Sequence, residues 1–432
     1  MDEAPEAPPL PPLTERRAPI WAEHELYTTG MFHGPLFQGV ARLSAWDATG
    51  IDAELADLPL HGFFGHGEDP GGLLLNPALL DQMGHVTAFW IAQGSGTDFS
   101  AFPSSIERID LGPAVREEAL SGAAISCRIE LRDPDDRPVS GIEDARFMES
   151  TIEARLPDGR LLMRASGWRD RFFRVPHAFY EARFRPREGF YGHAADLFDV
   201  GPRVTVWQVP AFEQGFLEDA GGLWTRLLVT TVLSAPERAE WAAMTGPAKR
   251  RRDWLMGRIA LKEAARAWIG AETGRLCLPA DLSVLPTPSG KPVIDPGPLA
   301  ALGIAEVPEV SLAHAGGGAI AVAAPPGRAA GIDMEPLSGA DAETLASGGF
   351  SDPEIATLGG AEMDRLLMGW CAKEAVAKSL GQGLNGRPKS FVIAAFDGAR
   401  AVIEAPDGAR HDAALARTDT AVMALSLTEA GG

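Results

Sequence analysis

Asp333 and Glu335 stand two residues apart in GIDMEP (Gly331 to Pro336), and Lys373, Glu374 and Lys378 follow in WCAKEAVAK (Trp370 to Lys378). Three carboxylates and two lysines are the groups needed to hold a divalent cation against a diphosphate. If GIDMEP ends an extended segment, Asp333 and Glu335 point to the same side of it. If WCAKEAVAK is helical, Trp370, Glu374 and Lys378 recur at intervals of four and share one face. Such a set suits Mg2+, which keeps part of its water and binds through one or two carboxylates together with phosphate oxygens. Each segment alone is weak, since a D-x-E at a strand end is commonly just solvated and K-E-x-x-x-K is commonly an exposed salt-bridge face. Their joint occurrence, order and spacing make the pattern specific.

The two segments together resemble the signature of 4′-phosphopantetheinyl transferases of the long surfactin-synthetase type. LSAPERAEW (Leu233 to Trp241), KRRRDWLMGRIALKEAARAWI (Lys249 to Ile269), TPSGKPVI (Thr287 to Ile294), VSLAHAGGGAIAVA (Val310 to Ala323) and GQGL (Gly381 to Leu384) keep the family's order, so the resemblance runs from Val204 to Leu427. The family's Ser-His-Ser reads Ala313-His314-Ala315 here, keeping the histidine and losing both hydroxyls. The resemblance implies Mg2+ held by Asp333, Glu335 and Glu374, coenzyme A as substrate, an apo acyl carrier protein as partner and 3′,5′-ADP as product. Glu374 is the implied base for the carrier serine, with Lys378 and Lys373 on the diphosphate.

A helix from Lys249 would set Arg251, Arg258 and Lys262 along one stripe and Leu261, Ala265 and Trp268 along an apolar one. A cationic line in a chain of net charge −20 is either a solvated face or the counter-charge of the coenzyme's 3′-phosphate. The family match favours the second, and implies Lys291, in the GKP turn, and His314 as further phosphate or adenine contacts. The family is built of two similar α+β halves, which puts a boundary near Pro325-Pro326 and the active site between the halves. No internal repeat stands out in the sequence.

Composition narrows the alternatives. The 432 residues allow two or three domains, and 45% hydrophobic content is ample for real cores. No apolar run approaches the length of a membrane span, and the acidic, proline-rich start is unlike a signal peptide. Three scattered cysteines, Cys127, Cys277 and Cys371, form no C-x-x-C pair, which fits a reducing cytoplasm without a zinc site. The negative charge argues against nucleic acid as a partner. Gly316-Gly317-Gly318 lacks the spacing of a nicotinamide loop, and Gly65 to Gly72 reads as a plain loop.

The N-terminal half reads differently. Met1 to Leu13 is a flexible or polyproline-like lead. ISCRIEL (Ile125 to Leu131) alternates as a half-buried strand, and TIEARL and RLLMRAS flank the hairpin signal Pro157-Asp158-Gly159. A single helix is expected from Pro77 to about Ile91, with proline in its first turn. One apolar helix among antiparallel strands indicates an α+β hot-dog.

FHGPLFQGV (Phe32 to Val40), LLLNPALLDQMGH (Leu73 to His85), FPSSIERIDL (Phe102 to Leu111) and GRLLMRASGWRDRFF (Gly159 to Phe173) resemble the C-terminal hot-dog of polyketide synthase dehydratase domains. The resemblance implies Asp81, of an Asp-x-x-x-Gln/His motif ending at His85, as the acid that protonates the hydroxyl leaving a 3-hydroxyacyl-carrier substrate. At helical spacing Asp81 and His85 share a face. Dehydration needs a base as well. The family takes it from the histidine of an H-x-x-x-G-x-x-x-x-P motif on a first hot-dog, here expected on another chain. His33 stands where the family usually has tyrosine and is given only a place in a structural turn.

The expected organisation is a lead (1–20), a dehydratase-like hot-dog (21–185), a linker (186–203) and a pseudo-dimeric two-lobed α+β transferase (204–432), similar to the C-terminal region of an iterative, enediyne-like type I polyketide synthase. The expected function is Mg2+-dependent phosphopantetheinyl transfer, with an attached dehydratase-like half-site. The alternatives for the hot-dog are a dehydratase completed by a partner chain and a non-catalytic carrier-docking module.

Overall fold

The alternation at Ile125, Cys127, Ile129 and Leu131 becomes a strand paired on both edges, and the Pro157-Asp158-Gly159 signal becomes the hairpin turn between the next two strands of the same sheet. The computed structural model describes residues 7–28, 30–31, 33–58, 75–95, 99–116, 120–142, 144–174, 179, 182, 185–212, 215–217, 219–339 and 341–429. The chain forms two units, Met1–Arg185 and Pro186–Gly432.

In the first unit β1 (Val40–Asp47) and β2 (Gly50–Leu55) precede α1 (Pro77–Ser95), followed by β3 (Phe99–Ser105), β4 (Arg108–Leu111), β5 (Ala124–Arg132), β6 (Phe147–Arg155) and β7 (Leu161–Arg174). They build one antiparallel sheet in the order β1-β2-β5-β6-β7-β3, with β4 also on β7. Arg155 pairs with Leu161 across the hairpin, and Gly159 takes φ +91°, which glycine adopts without a Cβ penalty. α1 begins at Pro77 as expected, with the Asn76 side chain accepting from Leu79 N (3.0 Å). Leu79, Met83, Val86 and Phe89 along one face of α1 are fully buried with Ile51, Ile125, Met148 and Ile152 of the sheet, the helix-on-sheet layer expected of a hot-dog.

The lead is not free over its described part. Backbone carbonyls of Ala7, Pro8 and Pro11 accept from Arg155, Arg164 and Arg128, and Leu10 N donates to Glu153 (2.7 Å). Proline offers no N–H but a good acceptor, so three arginines on the sheet suffice to hold a polyproline-like strand.

The second unit runs β8 (His193–Ala194), β9 (Thr205–Val209), α2 (Asp219–Val232), α3 (Ala235–Ala243), α4 (Ala248–Thr273), β10 (Val284–Pro286), β11 (Pro292–Ile294), α5 (Pro296–Ala301), β12 (Glu309–Ala315) and β13 (Gly318–Ala324). Then follow β14 (Arg328–Pro336), α6 (Ala342–Gly349), α7 (Asp352–Leu358), α8 (Met363–Ser379), β15 (Val392–Phe396), β16 (Arg400–Glu404), β17 (Arg410–Arg417) and β18 (Ala421–Glu429). β10 and β11 pair as a two-stranded ribbon, and two larger antiparallel sheets form, β12-β13-β9-β8 under α4 and β14-β18-β17-β16-β15 under α8. They meet where β14 packs on β12, with Ile332 N donating to Ser311 Oγ (3.2 Å). β13 ends at Ala324 and β14 begins at Arg328, on either side of Pro325-Pro326.

The two lobes repeat a device. S-x-P-E occurs at Ser234–Glu237 and at Ser351–Glu354, each a capping box opening a short helix. K-E-A occurs at Lys262–Ala264 in α4 and at Lys373–Ala375 in α8. In each lobe the buried glutamate of the first motif holds the fully buried lysine of the second. The repeat escapes inspection of the sequence because four and three residues, separated by unequal spacers, carry it.

The segment 186–203, expected as a linker, is part of this unit. The Arg266 guanidinium donates to the carbonyls of Pro186 (2.9 Å), Arg187 (2.7 Å) and Gly189, Trp207 donates to Tyr191 O (2.8 Å), and β8 pairs with β9. Among the described residues no helix is long and apolar enough to cross a membrane. All three cysteines are buried and free.

Candidate functional site

Gly331 stands in β14 for a steric reason. A Cβ there would lie 1.9 Å from Ala375 O and 2.4 Å from Ser379 N of α8, so only glycine lets the strand approach the helix this closely. The approach brings Asp333 and Glu335 of β14 beside Glu374 and Lys378 of α8. Lys378 Nζ donates to Asp333 Oδ1 (2.7 Å), Ile332 O (3.0 Å) and Leu312 O (3.3 Å), which ties α8 to both central strands.

The carboxylates are electrostatically loaded. Burial, then the Asp333 charge, push Glu335 up to about 7, with Glu374 adding and Lys378 opposing. Burial and Asp333 also raise Glu374. Asp333 Oδ2 is buried and makes no hydrogen bond. An orphaned carboxylate oxygen beside two carboxyls held above their ordinary range is the situation a divalent cation relieves, so Asp333, Glu335 and Glu374 fit a hard-cation donor set. They are not drawn together as a closed triad. Among the described residues, the group of three ligating side chains with ligand atoms within 4.8 Å of one another is His33, Asp81 and His85.

A cavity of about 350 Å3 opens at the seam of the two lobes, lined by Glu374, Lys378 and Gly381 from the second and by Arg258, Lys291 and Ser311 from the first. Arg258 is nearly buried, stacked 4.7 Å from the Trp254 ring centroid and 3.3 Å from Glu237. Lys291 pairs with Glu309 (2.8 Å). Three cationic side chains beside one carboxyl on the cavity walls suit a polyanionic ligand.

Other expected phosphate contacts are placed elsewhere. Lys262 is fully buried, paired with Glu237 and donating to Val232 O (2.8 Å). Lys373 is fully buried, paired with Glu354 (2.6 Å), donating to Gly349 O (2.8 Å) and lying over the Phe350 ring. Both assignments to coenzyme A are corrected, because each lysine already compensates a buried glutamate inside its lobe. Arg251 stacks on Trp241 (4.4 Å) and is not among the cavity-lining side chains. His314 is exposed on β12, beside the α4 glycine Gly257. Two hydroxyls that the motif did not flag, Ser289 and Ser311, line the cavity.

In the hot-dog, Asp81 and His85 share a face of α1, with His85 Nε2 3.0 Å from Asp81 Oδ2. His33, assigned only to a turn, has its ring centroid 4.0 Å from that of His85. Burial and His85 hold His33 below its ordinary value, against the opposing Asp81 charge. Tyr27, raised to about 12 chiefly by burial, contacts His85 Nδ1 through its hydroxyl (3.1 Å). The base-motif expectation is corrected by the sequence itself, since HGFFGHGEDP (His61 to Pro70) spells H-x-x-x-G-x-x-x-x-P. That motif and the loop Gly65 to Gly72 lie outside the described residues.

The family profile of the polyketide synthase dehydratase N-terminal domain matches residues 4–168, and that of the 4′-phosphopantetheinyl transferase superfamily matches residues 329–419. The first description names the N-terminal domain, where the motifs pointed to the C-terminal hot-dog. The second match covers β14 to β17 and α8 but leaves Arg258 and Lys291 outside it. No curated protein matches the chain. Solved structures similar to it include the dehydratase domain from the CurJ module of curacin polyketide synthase (11% identity, TM-score 0.26, 35% of this chain and 48% of that one). GphF dehydratase 1 (16%, TM-score 0.23, 32% and 44%) and a trans-AT polyketide synthase dehydratase domain from Brevibacillus brevis (15%, TM-score 0.24, 35% and 46%) are also similar. The matches span about half the length of those structures. The chain thus joins a polyketide synthase dehydratase domain at residues 4–168 to a 4′-phosphopantetheinyl transferase superfamily domain at residues 329–419.

Proposed function

We propose that the second unit transfers the 4′-phosphopantetheine group of coenzyme A to a serine of an apo acyl carrier protein. The observation that carries this reading is the seam cavity, where Arg258, Lys291 and Lys378 line one wall system with Glu374, next to Asp333 and Glu335. Arg258 and Lys291 hold the coenzyme's phosphates as a forked and a point cation. Asp333, Glu335 and Glu374 would hold Mg2+, which would supply charge neutralisation at the diphosphate. The serine oxygen bonds to the β-phosphorus as the bond to the bridging oxygen breaks, and 3′,5′-ADP leaves with that electron pair. Glu374, which lines the cavity, takes the serine proton directly or through a water. Lys378 holds Asp333 in place and adds positive charge at the cavity wall. Positioning and charge compensation account for most of the acceleration. Release of 3′,5′-ADP from coenzyme A and an apo carrier, followed as Mg2+ is titrated, checks the reading. Release should depend on Mg2+ and be lost in Asp333→Ala; full activity of that variant at limiting Mg2+ removes the assignment.

A second reading concerns the hot-dog, as a site for dehydration of a 3-hydroxyacyl-carrier thioester with Asp81 as acid. The Asp81–His85 contact favours it. With His61 in a base motif on the same chain, turnover is to be assayed both alone and with an added partner hot-dog. Turnover lost in Asp81→Asn supports it, and turnover unchanged in that variant removes it.

A further inference from the structure

The hot-dog holds three ligating side chains that neither its sheet nor its core requires to meet. Asp81 and His85 come from successive turns of α1, and His33 from the segment before β1. One ligand atom from each lies within 4.8 Å of the other two. Donors bound to one tetrahedral cation at ordinary bond lengths are about 3.4 Å apart, so a shift of about 1 Å closes the set.

The contact between His85 and Asp81 distinguishes this from an ordinary histidine–carboxylate pair. His85 Nε2 and Asp81 Oδ2 are 3.0 Å apart and both are buried, yet neither makes an aligned hydrogen bond. Two buried polar atoms at contact distance without alignment leave both without a hydrogen bond and available to a further ligand. On the far side of the ring, Val40 N donates to the Tyr27 hydroxyl (2.8 Å), which lies 3.1 Å from His85 Nδ1. In the tautomer whose Nδ1–H donates to Tyr27, the Nε2 lone pair is free for a metal, the arrangement by which a hydrogen bond behind the imidazole orients a metal-bound histidine.

We propose that His33, Asp81 and His85 bind a divalent transition-metal ion of the Zn2+ class, with one coordination position left to water or a ligand oxygen. Two imidazoles and a carboxylate prefer such an ion to Mg2+. Asp81 and His33 are only partly buried, so the fourth position faces solvent, as in zinc sites that do chemistry. The inference goes beyond the transferase reading and does not rest on it. It competes with the dehydratase reading for Asp81, because Oδ2 bound to a cation has no proton to give.

The full chain, stripped with a chelator and held in excess Mg2+ so that the β14–α8 carboxylates are occupied, is titrated with Co2+ and read by its visible absorption. The expected result is one equivalent bound, with the intense bands of a four- or five-coordinate ion, displaced by Zn2+. His33→Ala and Asp81→Asn should each weaken binding at least as much as Tyr27→Phe, for which loss of the orienting hydroxyl predicts a roughly 10- to 100-fold effect. Asp333→Asn should leave this Co2+ binding unaltered, although transfer by the second unit is lost. Because His85 is buried, the partly exposed His33 and Asp81 carry the test, and their metal-free melting curves report whether the fold is kept. No stoichiometric binding, full-strength binding in both variants, or loss confined to Asp333→Asn each overturns the proposal.

Discussion

The K-E-A turns of α4 and α8 are the same three residues in the same place of two similar lobes, and they do different things. In α4, Glu263 is buried against Arg266 (2.6 Å), and Arg266 spends its remaining donors on the carbonyls of Pro186, Arg187, Gly189 and Cys277. In α8 the position equivalent to Arg266 is Ala377. Glu374 therefore has no arginine one turn along its helix to pair with, Lys378 of α8 being bonded to Asp333, and it lines the cavity instead. One substitution within a repeated helix thus separates a carboxylate that fastens a chain segment from one available for chemistry. The lysines do not share this divergence, since Lys262 and Lys373 both remain buried on a capping-box glutamate.

The largest expected effect would break this comparison outright. Glu374→Gln should remove most transfer with the melting curve intact, a loss of several kcal/mol in transition-state stabilisation. Glu263→Gln should do the reverse, destabilising the unit by about 3–5 kcal/mol because Arg266 is left buried without its partner, while folded protein keeps its turnover. Equal effects of the two on turnover would erase the distinction.

Next come the lysines. Lys262→Met and Lys373→Met should each lower stability, by about 3–5 kcal/mol where the glutamate stays charged and buried, without a selective rise in KM for coenzyme A. Arg258→Ala should raise that KM by the equivalent of about 1.5–3 kcal/mol, and less for 3′-dephospho-coenzyme A. Removal of the segment up to Val204 should unfold the unit by exposing Arg266, whereas a chain starting at Pro186 should melt cooperatively.

A smaller effect separates the two units by pH. Asp170 on β7 and Glu335 on β14 are both pushed up to about 7, Asp170 by burial without a carboxylate neighbour, Glu335 by burial together with Asp333 and Glu374. A raised carboxyl stabilises the fold most below its ordinary value, and that contribution is lost as pH rises through about 7. Asp170→Asn should flatten the pH dependence of melting of the hot-dog between pH 4 and pH 7, with or without Mg2+. For the second unit, Mg2+ should raise the melting temperature more at pH 8 than at pH 6, and Glu335→Gln should remove most of that difference.

The parts legible in the sequence were those written as local periodicity or as rigid punctuation. The strand through Ile125, the turn at Gly159, the helix at Pro77 and the pairing of GIDMEP with WCAKEAVAK each depend on residues close in sequence. Gly331 looked like the start of a motif, and its reason, the backbone of Ala375 and Ser379, is visible only in three dimensions. Lys262 and Lys373 were misread because a cationic stripe reads the same whether it faces solvent, a phosphate or a buried glutamate. His33 was passed over because no spacing links it to Asp81 and His85. The linker at 186–203 looked featureless because what holds it is its backbone, gripped by a side chain far along the sequence.

The central claim is that the β14–α8 carboxylates and the seam cavity are a phosphopantetheinyl transfer centre. Its most direct test is the intact mass of an apo acyl carrier protein incubated with coenzyme A, Mg2+ and the full chain. The account predicts a mass gain of one phosphopantetheine group, lost in Asp333→Ala and in Glu374→Gln and retained in Asp81→Asn. No gain with the unaltered chain, or a gain that survives Asp333→Ala, would contradict it.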